Sequence, residues 1–145
     1  MGVAPNLSTD LLEQIRIEAA ARPGVEICGL LLGRDGRVEE ARPCRNVAVD
    51  PARRFEIDPA ALLAAHRAAR AGGPTILGCY HSHPSGRPEP SARDAAAAEP
   101  NGWLWLIVAN GQLRGWRAVE SGTLFGRYDE VAMTEIRTDR DSHTA

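Results

Sequence analysis

Between residues 81 and 94 the chain reads His-Ser-His-Pro-Ser-Gly-Arg-Pro-Glu-Pro-Ser-Ala-Arg-Asp. His81 and His83 close an apolar run, Thr75-Ile-Leu-Gly-Cys-Tyr80. Residues i and i+2 of a strand face the same side, so both imidazoles can reach one ion. Pro84 has no N–H for a ladder and stops the strand. Gly86, Pro88 and Pro90 make a turn-rich loop, Ser91 stands where a helix can begin, and Asp94 falls on its first turn. Two imidazoles and a carboxylate are the donor types of a catalytic zinc site, which takes three protein ligands and keeps the fourth position for water.

Either half of this stretch, taken alone, is commoner as structure. His-x-His pairs occur by chance on surface strands, and Ser-x-x-Asp resembles a capping box that occupies free helix N–H groups. The combination points to zinc. The loop between the halves is polar and has no hydrophobic reason to return, so a carboxylate carried back to two histidines reads as site construction. Cys79 alternates with His81 and His83 and is also a zinc donor type. Positions i and i+4 of a strand lie about 13 Å apart, whereas Zn–S and Zn–N bonds are only about 2.0–2.3 Å. Cys79 is therefore expected to be a buried packing residue beneath the site.

A length of 145 residues suits one domain with a real core. The expected division is a domain over 1–136 and a polar, frayed tail over 137–145. A net charge of −2 asks for neither nucleic acid nor an anionic membrane. The three cysteines, Cys28, Cys44 and Cys79, include no Cys-x-x-Cys and are not a disulfide framework. Met1 to Asn6 shows no signal-peptide pattern, and Asn6 stands where a myristoylation motif wants Ser or Thr. No run approaches membrane-spanning length. A cytoplasmic location is expected.

The elements that must position the site follow in order. Ser8 or Thr9 caps a helix with Leu11, Leu12, Ile15 and Ala19 on one face, ended by Pro23-Gly24. Val25 to Arg34 and about Arg37 to Val47 form a hairpin around Asp35-Gly36, a type I′ signal. Glu26 opens the first strand; it is either a solvated carboxylate or, beside a zinc-activated water, a general base. Arg53 to Ile57 is a further short strand. Asp58-Pro59 starts a helix over Ala60 to Ala71, closed by Gly72-Gly73; its His66 is a solvated or packing residue. Asp94 to Ala98 continues the short helix after the site loop. Trp103 to Ala109 is a strand buried on both faces, joined through Asn110-Gly111 to a partner over Gln112 to Val119. Trp103, Trp105 and Trp116 are expected to pack, with a wall for an extended peptide as the alternative. Gly122 to Ile136 holds one or two strands, or a strand and a helix. The order describes an α/β fold, a mixed sheet with helices against it.

Glu26, His81-Ser82-His83-Pro84 and Ser91-Ala92-Arg93-Asp94 together resemble the JAMM (MPN-plus) metalloprotease motif, with its six-residue gap before the serine. Glu26-Ile-Cys-Gly-Leu-Leu-Leu-Gly33 resembles the family's strand around its catalytic glutamate, and the likeness in pattern runs from about Leu7 to Val119. The resemblance implies a curved mixed sheet between helices, like that of the cytidine deaminases. It implies zinc held by His81, His83 and Asp94. Glu26 would take a proton from water and pass it to the leaving amine, and Ser91 would steady the oxyanion or the water. It also implies a small prokaryotic-type member that cleaves the bond after the C-terminal Gly-Gly of a ubiquitin-like or sulfur-carrier protein. Only four residues separate Ala98 from Trp103, which leaves no room for the insertions with which eukaryotic deubiquitinases grip two ubiquitins.

Two readings from other classes stand beside this one. His-x-His-Pro-Ser-Gly followed by Pro-Ser-x-x-Asp also resembles the RadC family, linked by name to DNA repair; the acidic charge and the Glu26 strand speak against it. A non-catalytic MPN docking module is the other, and the intact ligand set speaks against that.

Overall fold

The computed structural model describes residues 6–136; the expected tail, 137–145, lies outside the described residues. Strands β1 (Asn6–Ser8), β2 (Cys28–Arg34), β3 (Arg37–Cys44), β4 (Thr75–Ser82), β5 (Leu104–Ala109), β6 (Gln112–Gly122), β7 (Gly126–Val131) and β8 (Thr134–Ile136) alternate with helices α1 (Thr9–Ala21), α2 (Pro59–Arg70) and α3 (Ala92–Ala97). Six strands form one mixed sheet in the order β3-β2-β4-β5-β6-β7, and β1 pairs with β8 in parallel. Within the large sheet only β4 and β5 run parallel. Parallel neighbours cannot be joined by a hairpin. The chain must cross over between them, and that crossover carries the site loop and α3.

Side chains alternate between the sheet's two faces. Leu31, Tyr80, Leu106 and Val108 pack with Leu11, Leu12 and Ile15 of α1. Cys28, Leu30, Cys79, Trp105, Ile107 and Trp116 share the other face with Ala61, Leu62 and Ala65 of α2. β5 is buried along its whole length, as expected for a strand covered on both sides. Ser8 caps α1 by accepting the Leu11 N–H at 3.1 Å, and Asp58 caps α2 ahead of Pro59. Both expected hairpin turns have positive φ at their two central residues, Asp35-Gly36 and Asn110-Gly111. No helix among the described residues is long and apolar enough to cross a membrane.

Three local expectations are corrected. The return strand ends at Cys44 rather than Val47, and Arg53 to Ile57 is not a strand: a single bridge joins Asn46 to Ile57. The Asn46 amide takes over the work of a ladder. Its Nδ2 donates to the Glu26 and Arg54 carbonyls at 2.9 Å, and its Oδ1 accepts from Ala48 and Glu56 N–H. Of the alternatives left open for residues 122–136, the strands are found: β7 and β8, with no helix. The site loop does have a hydrophobic reason to return, since Pro88 and Pro90 are buried.

Tyr80 crosses β2 at Gly29, its register partner. A Cβ at Gly29 would meet the Tyr80 ring and the Arg42 carbonyl oxygen well inside contact distance. Gly29→Ala should therefore destabilise the fold by about 1–3 kcal/mol through overpacking. Urea unfolding measures this, and an unchanged midpoint would refute the steric account.

Candidate metal centre

β4 lies inside the sheet between β2 and β5 and ends at Ser82, so His81 is a strand residue and His83 the first beyond it. His81 is fully buried. Its ring stacks on Phe55 at 4.2 Å between centroids and meets Trp105 edge-on at 5.7 Å. His83 Nδ1 lies 2.7 Å from the Arg87 carbonyl oxygen. A carbonyl only accepts, so the proton of that contact sits on Nδ1 and Nε2 keeps its lone pair for the site.

α3 brings Asp94 to the histidines. Ser91 Oγ accepts the Asp94 N–H at 3.0 Å, and Asp94 Oδ2 accepts the Ser91 N–H at 2.9 Å. This is a complete capping box. The same Oδ2 lies 3.2 Å from Nε2 of both His81 and His83, and the two Nε2 atoms are 3.1 Å apart. Glu26 completes the group: one donor atom from each of Glu26, His81, His83 and Asp94 lies within 4.8 Å of the others.

Glu26 stands just before β2 and is fastened on both sides. Its N–H donates to Pro51 O at 2.7 Å and its carbonyl accepts Asn46 Nδ2. Ser82, the residue between the two histidines, faces the opposite way. Its Oγ accepts the Ile27 N–H at 2.9 Å and donates to Val25 O at 3.4 Å. The Glu26 carboxylate is buried and its Oε1 has no hydrogen-bond partner among the described residues. Burial first, then the Asp94 charge, pushes Glu26 up to about 7.

These atoms pose an electrostatic problem. With the proton on Nδ1, neutral His83 turns a lone pair towards a carboxylate oxygen; His81 Nδ1 has no partner among the described residues, so a metal-free His81 is free to carry its proton on Nε2 and donate it to Asp94 Oδ2. Burial opposes a charge on Asp94, yet His81, His83 and the Ser91 N–H hold its carboxyl well below the usual range. Burial likewise opposes charge on His83, but Asp94 and the Arg87 carbonyl outweigh it and raise its pKa. His81, deeper, is lowered by burial. In the metal-free protein a proton on His81 Nε2, or a second proton on His83, separates the lone pairs. A metal cation does the same for all three donors at once, and the donor set is that of a metal site.

Four of the five residues singled out for chemistry, Glu26 and the His81, His83, Asp94 set, are brought together. Ser91 lies at their edge, lining a cleft of 370 Å³ with Glu26, His83 and Arg93. Cys79 is 2% exposed and outside the donor group, as expected of a packing residue. His66 is exposed. Of the tryptophans, Trp105 and Trp116 are core; Trp103 and Trp105 also line a 630 Å³ hollow with Phe55, Leu62 and Asp94, so the peptide-wall alternative keeps a physical basis. The supporting roles of Ser82, Asn46 and Phe55 are absent from the sequence reading. Only for Ser82 was there a signal, its alternation against the histidines.

The pH dependence has a definite sign. A His83 pKa raised by folding stabilises the metal-free fold fully below the ordinary value of 6.5, and that contribution fades as pH rises through the raised value. Metal must displace this proton. Metal uptake near pH 7 should therefore release protons and weaken on acidification, measured by calorimetry in buffers of different ionisation enthalpy. Uptake with no proton release from pH 6 to 8 would contradict the assignment.

A model of the prokaryotic homologs of the JAB domain matches residues 8–121. The chain is 37% identical over 111 residues to a desampylase of Haloferax volcanii, spanning 75% of this chain and 80% of that protein. It is 40% identical over 88 residues to a probable TtuB-protein conjugate cleaving protease of Thermus thermophilus, over 61% of this chain and 59% of that protein. The solution structure of protein DSY2949 from Desulfitobacterium hafniense superposes with a TM-score of 0.75 at 29% identity, covering 92% of this chain and 93% of that one. With its donor group intact and most of its length matched, the chain belongs to the prokaryotic JAB-domain family.

Proposed function

We propose that this protein is a zinc-dependent hydrolase of the JAMM type. Its reaction is hydrolysis of the amide or isopeptide bond after the C-terminal Gly-Gly of a ubiquitin-like or sulfur-carrier protein. The observation that carries the proposal is the buried Glu26 carboxylate, its Oε1 without a partner among the described residues, beside two histidine nitrogens and the Asp94 oxygen. A docking module has no use for such a carboxylate, whereas a hydrolase needs a base at that place. The relatives' names, desampylase and conjugate cleaving protease, support a protein conjugate as substrate. In this reading residues 1–136 form one catalytic domain.

Zinc fits the donors present. Tetrahedral ligands on bonds of about 2.0–2.1 Å stand roughly 3.3–3.4 Å apart, close to the 3.1–3.2 Å triangle of His81, His83 and Asp94. When bound, zinc supplies Lewis acidity to the scissile carbonyl and to water, lowering the water's pKa to about 7. Glu26, with its raised affinity for a proton, accepts one from the attacking water and delivers it to the departing amine nitrogen. Amide and water thereby become carboxylic acid and amine. Ser91 Oγ accepts from Asp94 N–H, which leaves its O–H to donate to the oxyanion in the cleft. His83 is kept in one tautomer by Arg87 O throughout.

Two sets of variants test this. Asp94→Ala should lose zinc in elemental analysis, while Cys79→Ser keeps it and most turnover at some cost in stability; metal lost from the second and kept in the first would make this a Cys-His-His site. Glu26→Gln retains shape but cannot take the proton. It should keep zinc while turnover on a Gly-Gly-linked carrier conjugate drops about 10²–10⁴-fold. Near-normal turnover in that variant would remove Glu26 from the mechanism.

A further inference from the structure

The loop between His83 and Asp94 is held by residues far from the motif in sequence. Trp116 and Arg114 stand two apart on β6, on the sheet face that carries the site. Trp116 Nε1 donates to the Pro88 carbonyl at 3.0 Å in a buried contact. Arg114 Nη1 donates to Glu89 at 3.2 Å. The guanidinium is itself fixed: Glu130 receives Nε and Nη2 at 2.8 and 2.7 Å, and the charge lies 5.0 Å over the Trp116 ring. Three consecutive loop residues are thus tied down. Arg87 offers its carbonyl to His83 Nδ1, while Pro88 and Glu89 are gripped by β6.

We propose that Trp116 and Arg114 are positioning residues for the metal centre, acting through the loop on the orientation of His83; this rests on the reading of His83 as a ligand. With planar peptide units and the φ of Pro88 fixed by its ring, only the ψ of Pro88 is left to turn between the two neighbouring carbonyls. Holding the Pro88 carbonyl therefore restricts the Arg87 carbonyl one residue before it. The Arg87 carbonyl fixes which His83 nitrogen carries the proton and how the ring is turned, and such outer contacts strongly affect metal affinity. A core tryptophan needs burial for its ring, but packing alone does not require its N–H to end on the loop that orients a ligand.

The test uses the full chain with zinc and with Co²⁺ as probes. Trp116→Phe keeps most of the ring and removes only the donor; Glu89→Ala, at a half-exposed position, breaks the second tie without touching the core. Zinc Kd is measured by competition with a chromophoric chelator, the Co²⁺ visible spectrum reports ligand geometry, and melting is followed with and without metal. Positioning predicts a zinc Kd raised about 10-fold or more in Trp116→Phe, a smaller rise in Glu89→Ala, and altered Co²⁺ bands. Unchanged Kd and spectrum, with equal loss of Tm in metal-free and loaded protein, would show a merely structural role and overturn the proposal. Should Trp116→Phe fail to fold, Glu89→Ala decides by the same readouts. A wild-type chain that takes up no zinc would instead sink the metal reading itself, and this inference with it.

Discussion

Three electron-rich atoms, two imidazole nitrogens and a carboxylate oxygen, face one another at 3.1–3.2 Å in a buried place. Buried lone pairs at that distance repel unless something positive lies between them. A proton on one of the two Nε2 atoms is one solution and a metal ion is the other. Much of the surrounding architecture can be understood as holding these atoms where they would not stay by themselves. Phe55 and Trp105 fix the His81 ring, Arg87 fixes the His83 ring, and the α3 capping box fixes the carboxylate.

Asp94 shows how a structural and a chemical reading of one residue can both be true. Its Oδ2 accepts the Ser91 N–H, as a helix cap does, and faces both histidines. The cap costs the site nothing, since a carboxylate oxygen has more than one lone-pair direction. It also orients the donor before any ion arrives. Ser91 is shared in the same way, with its oxygen accepting from the helix and its hydroxyl proton left for the cleft.

The parallel pairing of β4 with β5 explains why the loop returns. A hairpin cannot join parallel neighbours, so the chain must cross over. The crossover starts at the His83 end of β4, and α3 lies within it. Buried Pro88 and Pro90 then press the loop against the sheet, where Trp116 meets it. On the far side, Ser82 uses the strand's alternation to clasp the backbone on either side of Glu26. The short stretch at the end of β4 and just beyond it therefore sends two histidines to one face and an anchor for the base to the other.

The elements governed by nearest neighbours were legible in the sequence. The caps Ser8 and Asp58, the turns Asp35-Gly36 and Asn110-Gly111, and the buried run before Ala109 all depend on local backbone chemistry or on periodicity, which a chain carries wherever it folds. The donor types and their spacing were legible for the same reason. What the sequence alone did not show was decided between segments distant along the chain. Arg53 to Ile57 has a strand-like composition, but its pairing stops at a single bridge to Asn46, whose side chain takes the Arg54 carbonyl and the Glu56 N–H. Whether Glu26 is solvated or stands beside the donors depends on β2 lying against β4 and on the grip of Ser82, 56 positions further on. Pairing of remote strands and the satisfaction of buried polar groups are properties of the assembled sheet, and they have no local signature to be read in advance.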